Sequence, residues 1–309
     1  MKIAIILPAH NEEFTIEGTI RSFHKHLPEA EIWVVNNNST DSTAKIAHEI
    51  QKVLGYKGGV LNELRLGKSN AVRRAFYEIK SDIYILTDAD MTYPAERMRD
   101  LLEPVLVGNA DMVVGDRHSA GHYAAENKRF LHGFGNRLVR DLINFLFRTN
   151  LLDIMSGYRV LSAHFVRNYP ILVEGFELET DMTLYALDKR FRIIEIPVEY
   201  RDRPEGSRSK LNTIRDGSKV IFTIVKILRY YRPLLFFGSL AFLFGFSGFL
   251  AGIPVLKDWI NKHYIYHIPL AILASGLEIS AMLAIAIGLI LDSINHQEKC
   301  LFEREMLKK

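Results

Sequence analysis

From Lys2 to about Arg232 apolar residues come in short runs set among charged ones, and after that in long, nearly unbroken stretches. The runs Ile3–Leu7, Ile32–Val35, Ile83–Thr87 and Met112–Val114 are rich in β-branched residues and mostly lack the polar alternation of a strand with one wet face. Helical patterns lie between them, near Thr15–His26, from Ser42 onward and over Ala71–Ile79. Continuously apolar strands separated by helices predict an α/β fold, a mostly parallel sheet with helices on both faces. Past Met112–Val114 the alternation loosens, and Arg192–Tyr200 predicts one late strand.

The long stretches are Leu234–Leu256 and Ile268–Leu291. Each has about 23 residues, and about 20 suffice to cross a bilayer, so they predict a transmembrane hairpin. Just before them, Leu211–Tyr231 sets Ile214, Val220, Ile221, Ile224, Val225 and Leu228 among Arg215, Lys219, Lys226 and Arg229, the pattern of a basic amphipathic helix on a membrane surface. The chain thus divides into a catalytic domain over 1–210, a surface helix over 211–232 and a hairpin with a short tail over 233–309. Positive residues before the first span and after the second, including Lys299, Arg304, Lys308 and Lys309, predict a multi-pass protein of the cell membrane with the catalytic domain and both termini cytoplasmic. The Lys257–His267 connection is expected outside. Glu278, in the second span, is costly in lipid and is expected to face protein, in helix pairing or a homo-oligomer contact.

Composition changes this picture little. The 48% hydrophobic content sits largely in the spans, and a net charge of +3 argues against a dedicated nucleic-acid binder. The single cysteine, Cys300, excludes an internal disulfide framework and fits a reducing compartment. Ile3–Leu7, closed by Pro8, is too short for the core of a secretory signal and reads as a first strand.

Ligands of open parallel sheets bind beyond the carboxyl ends of the strands, where this chain carries Pro8–Glu13, Asn36–Asp41 and Asp88-Ala89-Asp90. Residues two apart on extended chain point to one side, so the Asp88 and Asp90 carboxylates can serve one Mg2+ or Mn2+ together with the oxygens of a nucleoside diphosphate. Gly67-Lys68-Ser69 lacks the earlier glycine of a P-loop, since position 62 is Asn62, but a helix starting there attracts phosphate and makes Lys68 a donor contact. The stretch Arg201–Lys210, with Arg203 and Arg208, suits two phosphate-bearing substrates. A zinc site on His118, His122 and His132 is set aside because no cysteine is near and the aspartates suit a hard ion better. The sequon Asn38-Ser39-Thr40 is expected to lie in a cytoplasmic donor-covered loop, away from glycosylation.

PAHNEE, NNNSTDST, LGKSNAVRRA, TDAD, VVGDR, DIMSGYR and RPEGSRSKL, in this order, resemble the inverting family-2 glycosyltransferases of GT-A fold. Their order and spacing are most similar to the polyprenyl-phosphate glycosyltransferases, the group that includes dolichol-phosphate mannose synthases, and cover about Met1–Gly217. The resemblance implies that Pro8, His10, Glu12 and Asn37 line the nucleoside pocket and that Asp88 and Asp90 serve metal and diphosphate. It also implies that Lys210 meets donor phosphates, that Arg117, Arg129 and Arg203 hold the acceptor phosphate, and that Asp153 faces the acceptor as base or orienting group. Many relatives carry tyrosine at the place of His10 and paired aspartates at Asn36-Asn37, which leaves the nucleobase open.

The implied reaction is inverting transfer of a hexose, in first place from UDP-glucose, to a polyprenyl monophosphate at the bilayer. GDP-mannose is the alternative donor. A processive polysaccharide synthase fits less well because neither Trp33 nor Trp259 ends a Gln-x-x-Arg-Trp sequence, and a nonenzymatic scaffold would have no use for Asp88, Asp90, Arg117 and Lys210.

Overall fold

The computed structural model describes residues 1–119, 130–173, 178–201 and 214–308, without the side chains of 130–134 and 214–220. It divides into two units, Met1–Thr213 and Ile214–Lys309. Arg129, Arg203 and Lys210 lie outside the described residues.

The first unit holds β1 (Ile3–Ala9), α1 (Ile16–His26), β2 (Glu31–Asn36), α2 (Thr43–Leu54), β3 (Gly58–Asn62), α3 (Lys68–Glu78) and β4 (Ile83–Leu86). After them come α4 (Met98–Leu106), β5 (Met112–Asp116), α5 (Phe130–Phe147), β6 (Arg159–Ser162), α6 (Ala163–Asn168), α7 (Leu178–Asp188) and β7 (Ile193–Pro197). The strands form a seven-stranded sheet in the order β3-β2-β1-β4-β6-β5-β7. All neighbours run parallel except that β6 is antiparallel to both β4 and β5.

Ala4, Ile5, Ile6 and Leu7 are all 0% exposed, which is why β1 reads as one apolar run: both faces of a central parallel strand are covered. Ile5 and Leu7 join the core with Ile16, Ile20 and Phe23 of α1 and Met98 and Leu101 of α4. The spacing of Ile16, Thr19, Ile20 and Phe23 along α1 is the one-sided stripe of a helix lying on a sheet. Pro8 has no N–H to give, and β1 pairs with β4 only as far as Ile6↔Leu86, so the two strands part at their carboxyl ends.

The predicted strands and helices are present with shifted edges. α3 starts at Lys68 rather than Ala71, and the late strand is confined to Ile193–Pro197. Strands β3 and β6 were not anticipated.

The second unit comprises α8 (Ile214–Tyr231), α9 (Pro233–Lys262) and α10 (Ile268–Met306). Both predicted spans lie in α9 and α10, which are 30 and 39 residues long with apolar windows of mean hydropathy 2.0 and 2.1. The helices outrun those spans, α9 taking in Lys257 and Asp258 and α10 continuing through Asp292, Glu298 and Lys299. At about 1.5 Å per residue they measure about 45 and 58 Å, longer than a hydrocarbon core of about 30 Å. Small residues join them, with Ala241, Ala281 and Ala284 buried at the contact. The Glu278 carboxylate reaches α9, since a Cβ placed on Gly248 would lie 2.8 Å from its Oε1, but the residue stays exposed rather than enclosed by protein.

Candidate active site

Loops at the carboxyl ends of β1, β2 and β4 meet above the gap between β1 and β4. The His10 ring nitrogen Nδ1 is 2.8 Å from the Asn37 carbonyl. Asn11 Oδ1 accepts from the Thr40 N–H at 2.8 Å, and the Glu12 N–H donates to Thr43 Oγ1 at 2.8 Å. These bonds lock PAHNEE to the NNNSTDST loop, and Glu12 Oε2 accepts from Thr15 Oγ1 at 3.0 Å.

Asn37 is buried, and its amide is engaged within the protein. Nδ2 donates to the carbonyls of Glu63 (3.3 Å) and Arg65 (2.6 Å), and Oδ1 accepts from the Gly67 N–H at 2.7 Å. It therefore shapes the loop that leads into α3. Gly67 sits there at φ 122°, a conformation open to glycine, and delivers Lys68 as the first residue of the helix.

The Lys68 ammonium reaches across to β4, where Nζ is 2.5 Å from Asp88 Oδ1, and it also lies 2.6 Å from Oε1 of Glu179 on α7. Burial works against that charge, but the two carboxylates more than offset it and raise the lysine above its ordinary range. Asp88 keeps its side chain 31% exposed, whereas Asp90 is buried and accepts from Thr92 Oγ1 at 2.6 Å and from the Thr92 N–H at 3.2 Å. β4 ends at Leu86, so both aspartates stand beyond the strand, Asp90 on a bend.

A second cluster stands at the ends of β5 and β6. Arg117 grips Asp153 with two bonds, Nε to Oδ2 at 2.7 Å and Nη2 to Oδ1 at 2.9 Å, and its backbone N–H adds a third at 3.1 Å. Asp153 is 2% exposed. Burial opposes its charge, but Arg117 more than compensates and holds the carboxyl below the usual carboxylate range. The guanidinium also lies over the Tyr200 ring, 5.5 Å from its centroid. Glu195 on β7 accepts from the backbone N–H groups of Leu152 (2.8 Å) and Asp153 (2.7 Å) and so fixes the loop that carries Asp153.

The loop between Asp153 and Tyr158 touches both clusters. Because β6 runs antiparallel to β4 with Arg159 opposite Leu86, the loop entering β6 lies at the carboxyl end of β4. A Cβ on Gly157 would lie 2.9 Å from both Lys68 Nζ and Asp88 Oδ2, so only glycine leaves that ion pair its space. The Gly157 N–H donates to Tyr93 Oη at 2.9 Å. Fully buried Arg159 ties the loop down from below, donating to the carbonyls of Ser156 (2.9 Å) and Ile154 (2.8 Å) and to Thr183 Oγ1 (3.0 Å).

Of the residues singled out from sequence, Pro8, His10, Glu12 and Asn37 thus share one loop pair, Lys68 joins Asp88, and Arg117 joins Asp153. His118 Nε2 stands 3.9 Å from Asp153 Oδ1. Glu179, Glu195, Tyr93 and Tyr200 were not foreseen, and nothing in their local sequence marks them.

The profile described as "Glycosyl transferase family 2" matches residues 4–169. The chain is 26% identical over 276 residues to glycosyltransferase AglJ of Haloferax volcanii, covering 89% of this chain and 88% of that one. It is 27% identical over 232 residues to the dolichol-phosphate mannosyltransferase of Pyrococcus furiosus, covering 73% and 64%. Among solved structures, glucosyl-3-phosphoglycerate synthase of Mycobacterium tuberculosis, in complex with Mn2+, UDP and phosphoglyceric acid, superimposes with a TM-score of 0.55 at 22% identity, covering 74% of this chain and 77% of that one. With a profile spanning more than half of its length and a GT-A sheet beneath it, this chain belongs to glycosyl transferase family 2.

Proposed function

We propose that the protein transfers a hexose, with inversion, from a nucleoside diphosphate sugar to the monophosphate of a polyprenyl lipid. The observation that carries this reading is the single loop that binds Arg117 through Asp153 at one end and packs Gly157 on the Asp88–Lys68 pair at the other. A donor cluster and an acceptor-phosphate cluster joined by a loop whose ends, Asp153 and Gly157, are four residues apart suit a transfer between two phosphate-bearing molecules.

On this reading the nucleoside lies against Pro8, His10, Glu12 and the loop shaped by Asn37, and Lys68 faces the diphosphate. Asp88 and Asp90 supply the two hard carboxylate ligands that Mg2+ or Mn2+ takes alongside phosphate oxygens. The bound ion would neutralise the departing diphosphate. An oxygen of the lipid phosphate attacks the anomeric carbon as the bond from that carbon to the nucleoside diphosphate breaks, and a single displacement inverts the centre. With a second pKa near ~6 the acceptor is largely dianionic at neutral pH and needs no strong base. Asp153, held ionised by Arg117, suits orientation of that arginine rather than proton abstraction. Arg129, Arg203 and Lys210 belong to the same proposal through the family resemblance alone.

UDP-glucose is the donor we assign first, on the resemblance of the 203–217 stretch to glucosyl-type members, with GDP-mannose as its rival. The purified protein, offered UDP- and GDP-hexoses with short polyprenyl phosphates, is expected to form a lipid-linked hexose only with its own donor. Product on sugar or protein acceptors but never on a polyprenyl phosphate would end this reading.

For the membrane, we propose that α9 and α10 cross it as a hairpin, that α8 lies on its cytoplasmic surface with Ile221 and Phe222, both more than 60% exposed, toward lipid, and that the catalytic unit is cytoplasmic. In a Cys300→Ser background, a cysteine at Asn261 is expected to react with an impermeant reagent outside intact cells, and one at Ser22 is not. The reverse pattern would sink the topology.

A further inference from the structure

Lys68 stands between two carboxylates of unlike surroundings. Asp88 has its side chain 31% exposed, whereas Glu179 is buried, at 7%, on α7. The ammonium sits 2.5 Å from Asp88 Oδ1, so its charge stands where a divalent ion drawn to that carboxylate would come. Freed into a buried space with no counter-charge, the lysine would be strongly disfavoured, as the remaining partner of a broken buried ion pair is. Glu179 removes that penalty, because its oxygen at 2.6 Å keeps the ammonium paired whether or not Asp88 is available. Gly157, on which a Cβ would fall 2.9 Å from Lys68 Nζ and Asp88 Oδ2, leaves the pair the room that a larger residue would take.

We propose that Glu179 is a positioning residue for the donor site: it retains Lys68 beside the diphosphate when a divalent ion displaces the ammonium from Asp88. Lys68 is then a placeholder cation, exchanged from carboxylate to phosphate as the donor arrives, with Glu179 as its pivot. The inference deepens the reading of Asp88 as a donor-site carboxylate and rests on it.

The test uses the full-length protein in detergent and calorimetric titration with UDP or GDP, whichever the wild type binds, at a series of Mn2+ concentrations. The quantity read is the Mn2+ concentration that half-supports nucleotide binding. In Glu179→Gln it is expected to rise about tenfold, the scale on which groups behind a metal ligand act. In the double variant Glu179→Gln/Lys68→Met, with no ammonium to displace, it is expected to return to within about threefold of wild type. A merely structural role would change the melting temperature or the nucleotide affinity without moving the Mn2+ midpoint. An unchanged midpoint in Glu179→Gln, or a shift that removal of Lys68 leaves in place, overturns this inference alone. A wild-type protein that binds neither nucleotide at any Mn2+ concentration overturns the donor-site reading and the inference with it.

Discussion

Asp90→Asn is expected to lower sugar transfer about a thousandfold, the upper range for removing one preorganised electrostatic group, while the catalytic unit stays folded. Asp90 is 2% exposed and accepts from the Thr92 hydroxyl at 2.6 Å and the Thr92 N–H at 3.2 Å. An asparagine keeps an oxygen for the Thr92 bonds and removes the charge, so the melting temperature should move far less than the rate. Alanine would also strip Thr92 of its acceptor, at about 1–3 kcal/mol, and confuse the two effects. Asp88→Asn is expected to be less clean, because it also unpairs Lys68 on one side. Near-normal transfer by Asp90→Asn with Mg2+ or Mn2+, or full wild-type activity in chelator, would remove Asp90 from the metal.

Much of the sheet was legible because β1, β2 and β4 are covered on both faces and leave continuous β-branched runs. β3 was not, since Gly58-Gly59 opens a strand at the edge of the sheet, where little apolar signal accumulates. Nor was β6, whose four residues begin with Arg159, a fully buried arginine that reads in sequence as a surface position. That omission hid the site's central feature, because only the reversal of β6 brings the DIMSGYR loop to the end of β4.

The site was legible by motif and opaque by contact. Asp88 and Lys68 were each expected near diphosphate, yet their direct pairing across 20 positions leaves no local trace. Glu179 was missed for a related reason. α7 buries residues around most of its circumference, Thr180, Met182, Thr183 and Leu184 included, and so lacks the one-sided stripe that would distinguish a buried carboxylate from a solvated one. Asn37 is expected to line the nucleoside pocket, and its amide is engaged by three backbone groups of the neighbouring loop that its sequence position does not announce. Sequence spacing places a residue at an edge of the sheet but does not say which partner its polar atoms find there.

Asp153→Asn is expected to destabilise the catalytic unit by about 3–5 kcal/mol at neutral pH, the cost of removing one partner from a buried ion pair. Asp153 is 1% and Arg117 11% exposed at the side chain, so the variant removes the carboxylate charge from a two-bond grip that water scarcely reaches. The sign of the pH dependence follows from the lowered carboxyl. Its contribution is fully present above the unfolded value near ~3.9 and is lost as pH falls through the still lower folded value. The stability gap between wild type and Asp153→Asn should therefore hold from neutral pH down to about 4 and close only in stronger acid. Kinetics separate the two roles open to Asp153. If it orients Arg117, the variant should show a higher acceptor KM with donor affinity almost intact. Its rate should still fall below about pH 6, because that limb belongs to the second ionisation of the acceptor phosphate. If Asp153 is instead the base, kcat itself should collapse and its pH dependence should vanish with the carboxylate, an outcome that would overturn the orienting role.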